Sequence, residues 1–312
     1  MLFNVLKRLN FDGTLEIIDS NNNKHTFGTS NPIITIRLKN KSIERKLFFN
    51  PNLYLGEAYM NEELILERGS IEDFLKMITS CYDDFISNNY IYKMYEYFSS
   101  ILKPFHQINQ LVNSKKNVAH HYDIDEKLYK LFLDKDMQYS CAYFHNPNIG
   151  LDQAQIDKKN HIIKKLSIKE GMNVLDIGCG WGGMAIEIAK ITGAKVKGIT
   201  LSENQFKTAS ERAQKEGLND RVTFALQDYR NEEDQYDRIV SVGMFEHVGI
   251  KYFKTFFRKT NDLLKENGVF LLHTIGQRSI PTATSPWIRK YIFPGGYIPA
   301  LSEIMKETQK LN

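Results

Sequence analysis

Val174-Leu-Asp-Ile-Gly-Cys-Gly-Trp-Gly-Gly183 decides how this chain is read. An apolar run (Val174, Leu175, Ile177) carries one acid, Asp176, and then breaks into glycines at 178, 180, 182 and 183. Met184, Ala185, Ile186, Ile188 and Ala189 follow at helical spacing. Buried strand, glycine turn and helix start, in that order, make the first βα unit of a nucleotide-binding sheet. The glycines let the backbone pass close under a ligand, and the helix N-terminus offers free N–H groups.

Two cofactors compete for this turn. Gly178, Gly180 and Gly183 satisfy the dinucleotide pattern G-x-G-x-x-G, a weak signal by itself. Asp176 argues the other way, because a carboxylate there repels a pyrophosphate and suits a cationic amino group. S-adenosylmethionine has that ammonium and no phosphate, so it leads; a dinucleotide, or a glycine turn without ligand, stays open.

Outward from the turn the alternation is regular. The spacing predicts helices near 153–166, 183–191, 203–216 and 250–265, and strands at 173–177, 195–200, 221–226, 236–242 and 268–274. This is a doubly wound, Rossmann-like α/β sheet. In helix 250–265 the residues Tyr252, Phe253, Phe256, Phe257, Leu263 and Leu264 read as core. Upstream, residues 1–100 form a small α/β domain ahead of a second domain over 101–312. Its predicted elements are an amphipathic helix over 1–10, strands at 14–18, 24–28, 33–38 and 43–49, and a helix over 71–77 capped by Ser70. Residues 83–117 are aromatic-rich with a helical pattern that Pro104 breaks, and His120-His121-Tyr122-Asp123 lies just beyond.

The chain has 312 residues, 42% hydrophobic and 25% charged, enough for two globular domains. Three cysteines (Cys81, Cys141, Cys179) are too few and too scattered for a disulfide framework or a zinc site, and fit a reducing cytoplasm. No apolar run is long enough to span a membrane, and Met1–Asn10 lacks the features of a signal peptide. The net charge of +4 is unevenly spread: −2 over 1–100, +3 over 101–170, −3 over 171–249 and +6 over 250–312. Positive charge on both sides of the glycine turn suits an anionic surface, phospholipid or nucleic acid, although a solvated basic face gives the same count. The stretch Trp287-Ile-Arg-Lys-Tyr-Ile-Phe293 reads either as a membrane contact or as a segment packed on the core.

Ligands in such sheets sit beyond the carboxyl ends of the strands. Those ends carry Gly178–Gly182, then Thr200–Gln205, then Asp228-Tyr229, then Glu246-His247, and His273 near the end of the last strand. Gln205 is placed to meet a ribose diol, with Glu203 as a substitute. Asp228 and Tyr229 bound an adenine, one by hydrogen bonding and the other by stacking. Glu246 and His273 both sit in apolar surroundings, where polar groups need partners. A core histidine with a satisfied hydrogen bond is the plain alternative for His273.

Tyr139-Ser-Cys-Ala-Tyr-Phe144, Val174–Gly183, Gly198-Ile-Thr-Leu-Ser202 with Gln205, Phe245-Glu-His-Val-Gly249, Leu271-Leu-His-Thr-Ile-Gly276 and Ile292-Phe-Pro-Gly-Gly296 stand in one order. Together they resemble the cyclopropane-fatty-acyl-phospholipid synthase family, relatives of the mycolic acid cyclopropane synthases. The likeness runs from about 118 to 300, and residues 1–100 resemble the amino-terminal domain of its bacterial phospholipid members. It implies transfer of a methylene group from S-adenosylmethionine to the cis double bond of an acyl chain in an unsaturated membrane phospholipid.

The same resemblance implies the site. Tyr139, Ser140, Val174, Leu175, Asp176, Ile177, Gly178, Cys179, Gly180, Trp181 and Gly182 would line the cofactor, as would Thr200, Leu201, Ser202, Glu203, Asn204, Gln205, Asp228 and Tyr229. Cys141, Glu246 and His273, with the backbone of Ile275, would hold a bicarbonate ion. Tyr139, Tyr143 and Phe144 would face a developing cation. The expected setting is cytoplasmic and peripheral to the inner face of the membrane. No nucleic acid is expected, and a second copy of the chain is a candidate partner. Family members also continue for several tens of residues past the position of Asn312, supplying two last strands, a bicarbonate-contacting tyrosine and a late cysteine. The strand at 268–274 is therefore expected as an exposed edge. Two other readings remain: a methyltransferase acting on another acceptor, such as a small amine or headgroup, and a cofactor-binding module without turnover.

Overall fold

The computed structural model describes residues 1–90, 92, 94, 126–278 and 281–311. The chain divides into two compact units, one of Met1–Lys103 with Ala283–Ile292 and one of Pro104–Thr282 with Phe293–Asn312. The predicted helix over 83–117 is seen only at its start, and its later part, Pro104 and the 120–123 segment lie outside the described residues.

In the first unit the elements run α1 (Leu2–Leu6), β1 (Thr14–Ile18), β2 (Lys24–Phe27), β3 (Ile33–Leu38), α2 (Lys41–Phe49), α3 (Pro51–Met60), β4 (Leu64–Arg68), α4 (Ile71–Ser80) and α5 (Tyr82–Asn88). The sheet order is β2-β1-β3-β4. The strand expected at 43–49 is instead the body of α2. Asn40 caps that helix by accepting the Ile43 N–H at 3.1 Å, and Ile43, Leu47 and Phe48 fall on one buried face. The fourth strand is β4, which the sequence reading missed because its outer half, Glu67 and Arg68, is exposed and charged. The Ser70 cap stands, with its hydroxyl accepting the Asp73 N–H at 3.1 Å.

Residues Ala283–Ile292 pack within this first unit. They form a short helix over Pro286–Tyr291 whose Lys290 and Tyr291 donate to Glu57 Oε1 at 2.6 and 2.9 Å. Trp287 lies against Gly56 so closely that a Cβ there would come within 2.4 Å of its indole nitrogen. The tryptophan on which a membrane contact was read is thus turned onto α3.

The second unit runs α6 (Glu126–Lys130), α7 (Leu151–Leu166), β5 (Asn173–Ile177), α8 (Gly183–Thr192), β6 (Lys195–Thr200), α9 (Glu203–Lys215), β7 (Val222–Leu226), β8 (Tyr236–Val242), α10 (Phe253–Asp262) and β9 (Leu264–His273). The Pro286–Tyr291 helix of the first unit is α11, and α12 (Leu301–Thr308) follows. All strand pairs of this sheet are parallel, in the order β7-β6-β5-β8-β9. The order reverses at β5, so the crevice at its carboxyl end is where a ligand is expected in such a sheet. Apolar residues of α7 and α8 cover one face, and Phe253, Phe256 and Phe257 of α10 cover the other, as the spacing of that helix predicts.

β9 starts at Leu264 rather than 268. Asn267 adopts φ 64° and the pairing slips between Tyr236 and Arg238, so the first residues of the strand bulge before the regular ladder begins at Val269. Among the described residues β9 pairs with β8 alone and forms the sheet edge.

Candidate functional site

The glycine turn builds a cavity rather than merely allowing one. Gly180 has φ 54° with no atom within 4 Å of a would-be Cβ, so its backbone borders open space in a conformation that side chains disfavour. Asp176, Ile177, Gly178, Cys179, Gly180 and Trp181 line that cavity. Val174 and Leu175 do not; both are wholly buried in the sheet core. Gly182 precedes α8, where its φ of 85° starts the helix.

The second rim comes from the end of β6. Thr200 donates to Gln205 Oε1 at 2.8 Å, which leaves the Gln205 amide N–H groups for a ligand oxygen such as a ribose hydroxyl. Thr200, Leu201 and Gln205 line the cavity. Ser202 has a structural task, capping α9 by accepting the Gln205 N–H at 3.2 Å. Glu203 is exposed, and neither it nor Asn204 lines the cavity. Gln205, not Glu203, is therefore the group facing the cavity.

Asp228 and Tyr229 form the third rim, with additions that, His247 apart, the sequence reading did not make. Arg230 grips Asp228 through Nε at 2.8 Å and Nη2 at 2.6 Å, and lies over the Tyr229 ring at 5.6 Å. Tyr229 also packs edge-on against Phe256. Gln227, Arg230, Gly243, Met244, His247 and Val248 line the cavity as well. Each lies at or just past the carboxyl end of β7 or β8, so the strand-end rule applied more widely finds them.

Tyr139 and Ser140 line the cavity from a loop preceding α7, beside Met137 and Gln138. Two lysines on α7 hold this loop. Lys158 Nζ donates to Gln138 Oε1 at 2.9 Å and Ser140 Oγ at 2.7 Å, while Lys159 Nζ meets Asp136 at 2.7 Å and Glu187 at 3.3 Å. Arg212 adds a contact to Asp136 and another to the Trp181 carbonyl at 2.7 Å. Tyr143 and Phe144 are half-exposed instead of lining the cavity, and Tyr143 is stacked on His161 at 4.8 Å.

The electrostatics of the cavity centre on Asp176. Only 2% of it is exposed, its Oδ2 has no hydrogen-bond partner, and burial pushes its pKa up to about 7 against the pull of the nearby Lys158. A buried carboxylate oxygen without a partner is costly. A ligand ammonium removes that cost, so the donor set fits the amino-acid end of S-adenosylmethionine and not a pyrophosphate.

A second pair of orphaned atoms lies at the ends of β8 and β9. Glu246 Oε1 accepts the Ile275 N–H at 2.5 Å, but its Oε2 is buried without a partner, as is His273 Nδ1. Burial pushes the Glu246 carboxyl up, against the pull of the Ile275 N–H, and pushes the His273 imidazole down. The two orphaned atoms leave the Glu246 carboxyl and the His273 imidazole each able to hydrogen-bond a small polar ligand that carries both a donor and an acceptor. The Ile275 N–H, assigned to bicarbonate by resemblance, is here taken by Glu246. Cys141 is exposed, with no hydrogen bond tying it to the pair. Among the described residues no cluster of His, Cys, Asp and Glu has metal-binding geometry.

Residues 109–312 match the mycolic acid cyclopropane synthetase family. The chain belongs to that family. Its cofactor is accordingly S-adenosylmethionine, and residues 2–90 match a separate domain of unknown function. This family member is 40% identical over 278 residues to the cyclopropane-fatty-acyl-phospholipid synthase of Escherichia coli (strain K12), covering 88% of this chain and 69% of that protein. It is 34% identical over 289 residues to a probable fatty acid methyltransferase of Pseudomonas putida, covering 90% and 70%. Among solved structures it resembles the cyclopropane synthase MmaA2 of Mycobacterium tuberculosis, with a TM-score of 0.60, 32% identity and coverage of 65% and 75%. The mycolic acid cyclopropane synthase CmaA1 complexed with SAH and CTAB gives 0.59, 32%, 63% and 73%.

Proposed function

We propose that this protein cyclopropanates cis double bonds in the acyl chains of membrane phospholipids, using S-adenosylmethionine as the one-carbon donor and bicarbonate as an auxiliary ion. The observation that carries this is the conjunction of two orphaned sets at one sheet end. Asp176 Oδ2 has no hydrogen-bond partner, and neither have Glu246 Oε2 and His273 Nδ1. An amine methyltransferase needs the first set and has no evident use for the second.

S-adenosylmethionine supplies an electrophilic sulfonium methyl when bound. Asp176 would hold its ammonium, the Gln205 amide would meet a ribose hydroxyl, and Gly178 and Gly180 would let the backbone lie close to the amino-acid arm. An alkene is a weak nucleophile, so in-line positioning carries much of the rate. The Tyr139 ring, set edge-on to Tyr129 at 5.5 Å, offers a face that steadies positive charge on the acyl chain without attacking it. Glu246 and His273 would hold bicarbonate, which supplies an acceptor for the proton lost as the ring closes.

The protein acts, on this reading, from the cytoplasmic face of the membrane, reached through the basic excess of residues 250–312. No helix among the described residues is long and apolar enough to cross a bilayer. Incubation with methyl-labelled S-adenosylmethionine and vesicles of unsaturated phosphatidylglycerol tests the proposal. Mass spectrometry of the released fatty acids should show chains heavier by one methylene and resistant to hydrogenation. Labelled amines or headgroups with unaltered acyl chains would overturn it.

A further inference from the structure

Lys158 is a buried cation with no carboxylate in ion-pair contact among the described residues. It is 3% exposed, has no ion pair within 4.0 Å, and spends two of its three protons on the neutral acceptors Gln138 Oε1 and Ser140 Oγ. Asp134, Asp136 and Asp176 compensate its charge only from a distance, without a direct ion pair, and a buried ammonium so held has room for a ligand anion. Its neighbours are arranged toward the cavity. Ser140 Oγ accepts from Lys158, so the hydroxyl proton is left to donate, and no acceptor among the described residues takes it. Gln155 Nε2 holds the backbone carbonyls of Gln138 and Ser140 at 3.2 and 2.9 Å, which fixes the loop and keeps both side chains at the cavity wall. Gln138 cannot swing away, because its Nε2 is committed to Asp136 at 3.1 Å. The same cavity is lined by Asp176, the acid without a partner.

We propose that Lys158, acting through the hydroxyl of Ser140, binds the carboxylate of the cofactor's amino-acid arm, so that the cavity reads a zwitterion with Asp176 on the ammonium and Lys158 behind the carboxylate. Lys158 is a positioning residue: it polarises Ser140 and supplies the positive charge that the arm's carboxylate needs in a dry site. The cavity therefore selects adenosyl sulfonium compounds that keep the α-carboxylate. Burial holds the free Lys158 ammonium down to about 8, so an arriving carboxylate also secures its proton.

This rests on S-adenosylmethionine being the cofactor, and the test separates the two claims. Calorimetric binding to the full chain without lipid compares S-adenosylmethionine with its decarboxylated form, which differs by the carboxylate alone. The wild type should prefer the intact cofactor by about 30-fold, the size of a charge-assisted contact. Lys158→Met should reduce that preference to about threefold or less while leaving the decarboxylated ligand's affinity within about twofold, and Lys158→Arg should restore part of it. Ser140→Ala, which strands no new charge, should show the same selective loss. Equal weakening of both ligands in Lys158→Met, or an unchanged preference, would overturn the proposal. Failure of the wild type to bind either ligand would instead overturn the cofactor assignment.

Discussion

Asp176 sits midway across the sheet, its Cα paired with Gly198 of β6 and Val240 of β8, and is almost wholly buried. Its pKa near 7 has a consequence for binding with a definite sign. Below that value the free protein holds a neutral acid, and a cationic ligand must expel its proton. Above it the carboxylate is already formed. S-adenosylmethionine affinity should therefore climb as pH rises from 6 to 8, by at most about tenfold per unit, and then level off. Asp176→Asn should weaken binding by about 10- to 100-fold and abolish the climb. A flat calorimetric profile in the wild type would contradict this role. Glu246 and His273 predict the opposite split. His273→Ala should leave cofactor affinity within about twofold while lowering cyclopropane formation by about 100-fold or more. A large affinity loss in that variant would place His273 with the cofactor instead.

Elements set these residues in place by means that vary in how openly they are written. The α7 helix and the loop before it are tied by Lys159, Asp136, Arg212 and Glu187. Asp136→Ala leaves the buried Lys159 with a single partner, at 3.3 Å, and should cost about 2–4 kcal/mol in urea unfolding. An unchanged midpoint would mean that the network contributes nothing. None of this network was read from the sequence. The clue was spacing: Lys158 falls four residues after Ala154 and four before Ile162, on the buried stripe. The parallel strands were legible because burial on both faces makes them near-continuous apolar runs, as at Val174–Ile177, which Asp176 alone interrupts. Residues 43–49 were not, since Leu47-Phe48-Phe49 satisfies a short strand and a helix face alike, and only the Asn40 cap settles the choice. The site was legible where chemistry is local to a strand end, as at Asp176 and Gln205. It was not where a side chain's partner depends on tertiary approach, as when Glu246 takes the Ile275 N–H.

At the scale of the molecule, the first unit is made from two separated pieces of chain. Glu57, held below the usual carboxylate range chiefly by the hydrogen bond from Lys290, has both of its side-chain partners on α11. Trp287→Ala should destabilise this unit by about 2 kcal/mol or more and speed proteolytic cleavage within 283–292, read on a gel. Cleavage at the wild-type rate would show that the contact with Gly56 adds no stability. Gly56 and Trp287 are complementary to within an atom, and they are encoded more than half the gene apart. The first unit is therefore not an interchangeable prefix. A chimera that exchanges residues 1–103 for those of a relative, yet keeps 283–292, sets this tryptophan against a foreign helix. Any side chain at the glycine position would then collide with the indole, so recombination between such genes succeeds only when both segments travel together.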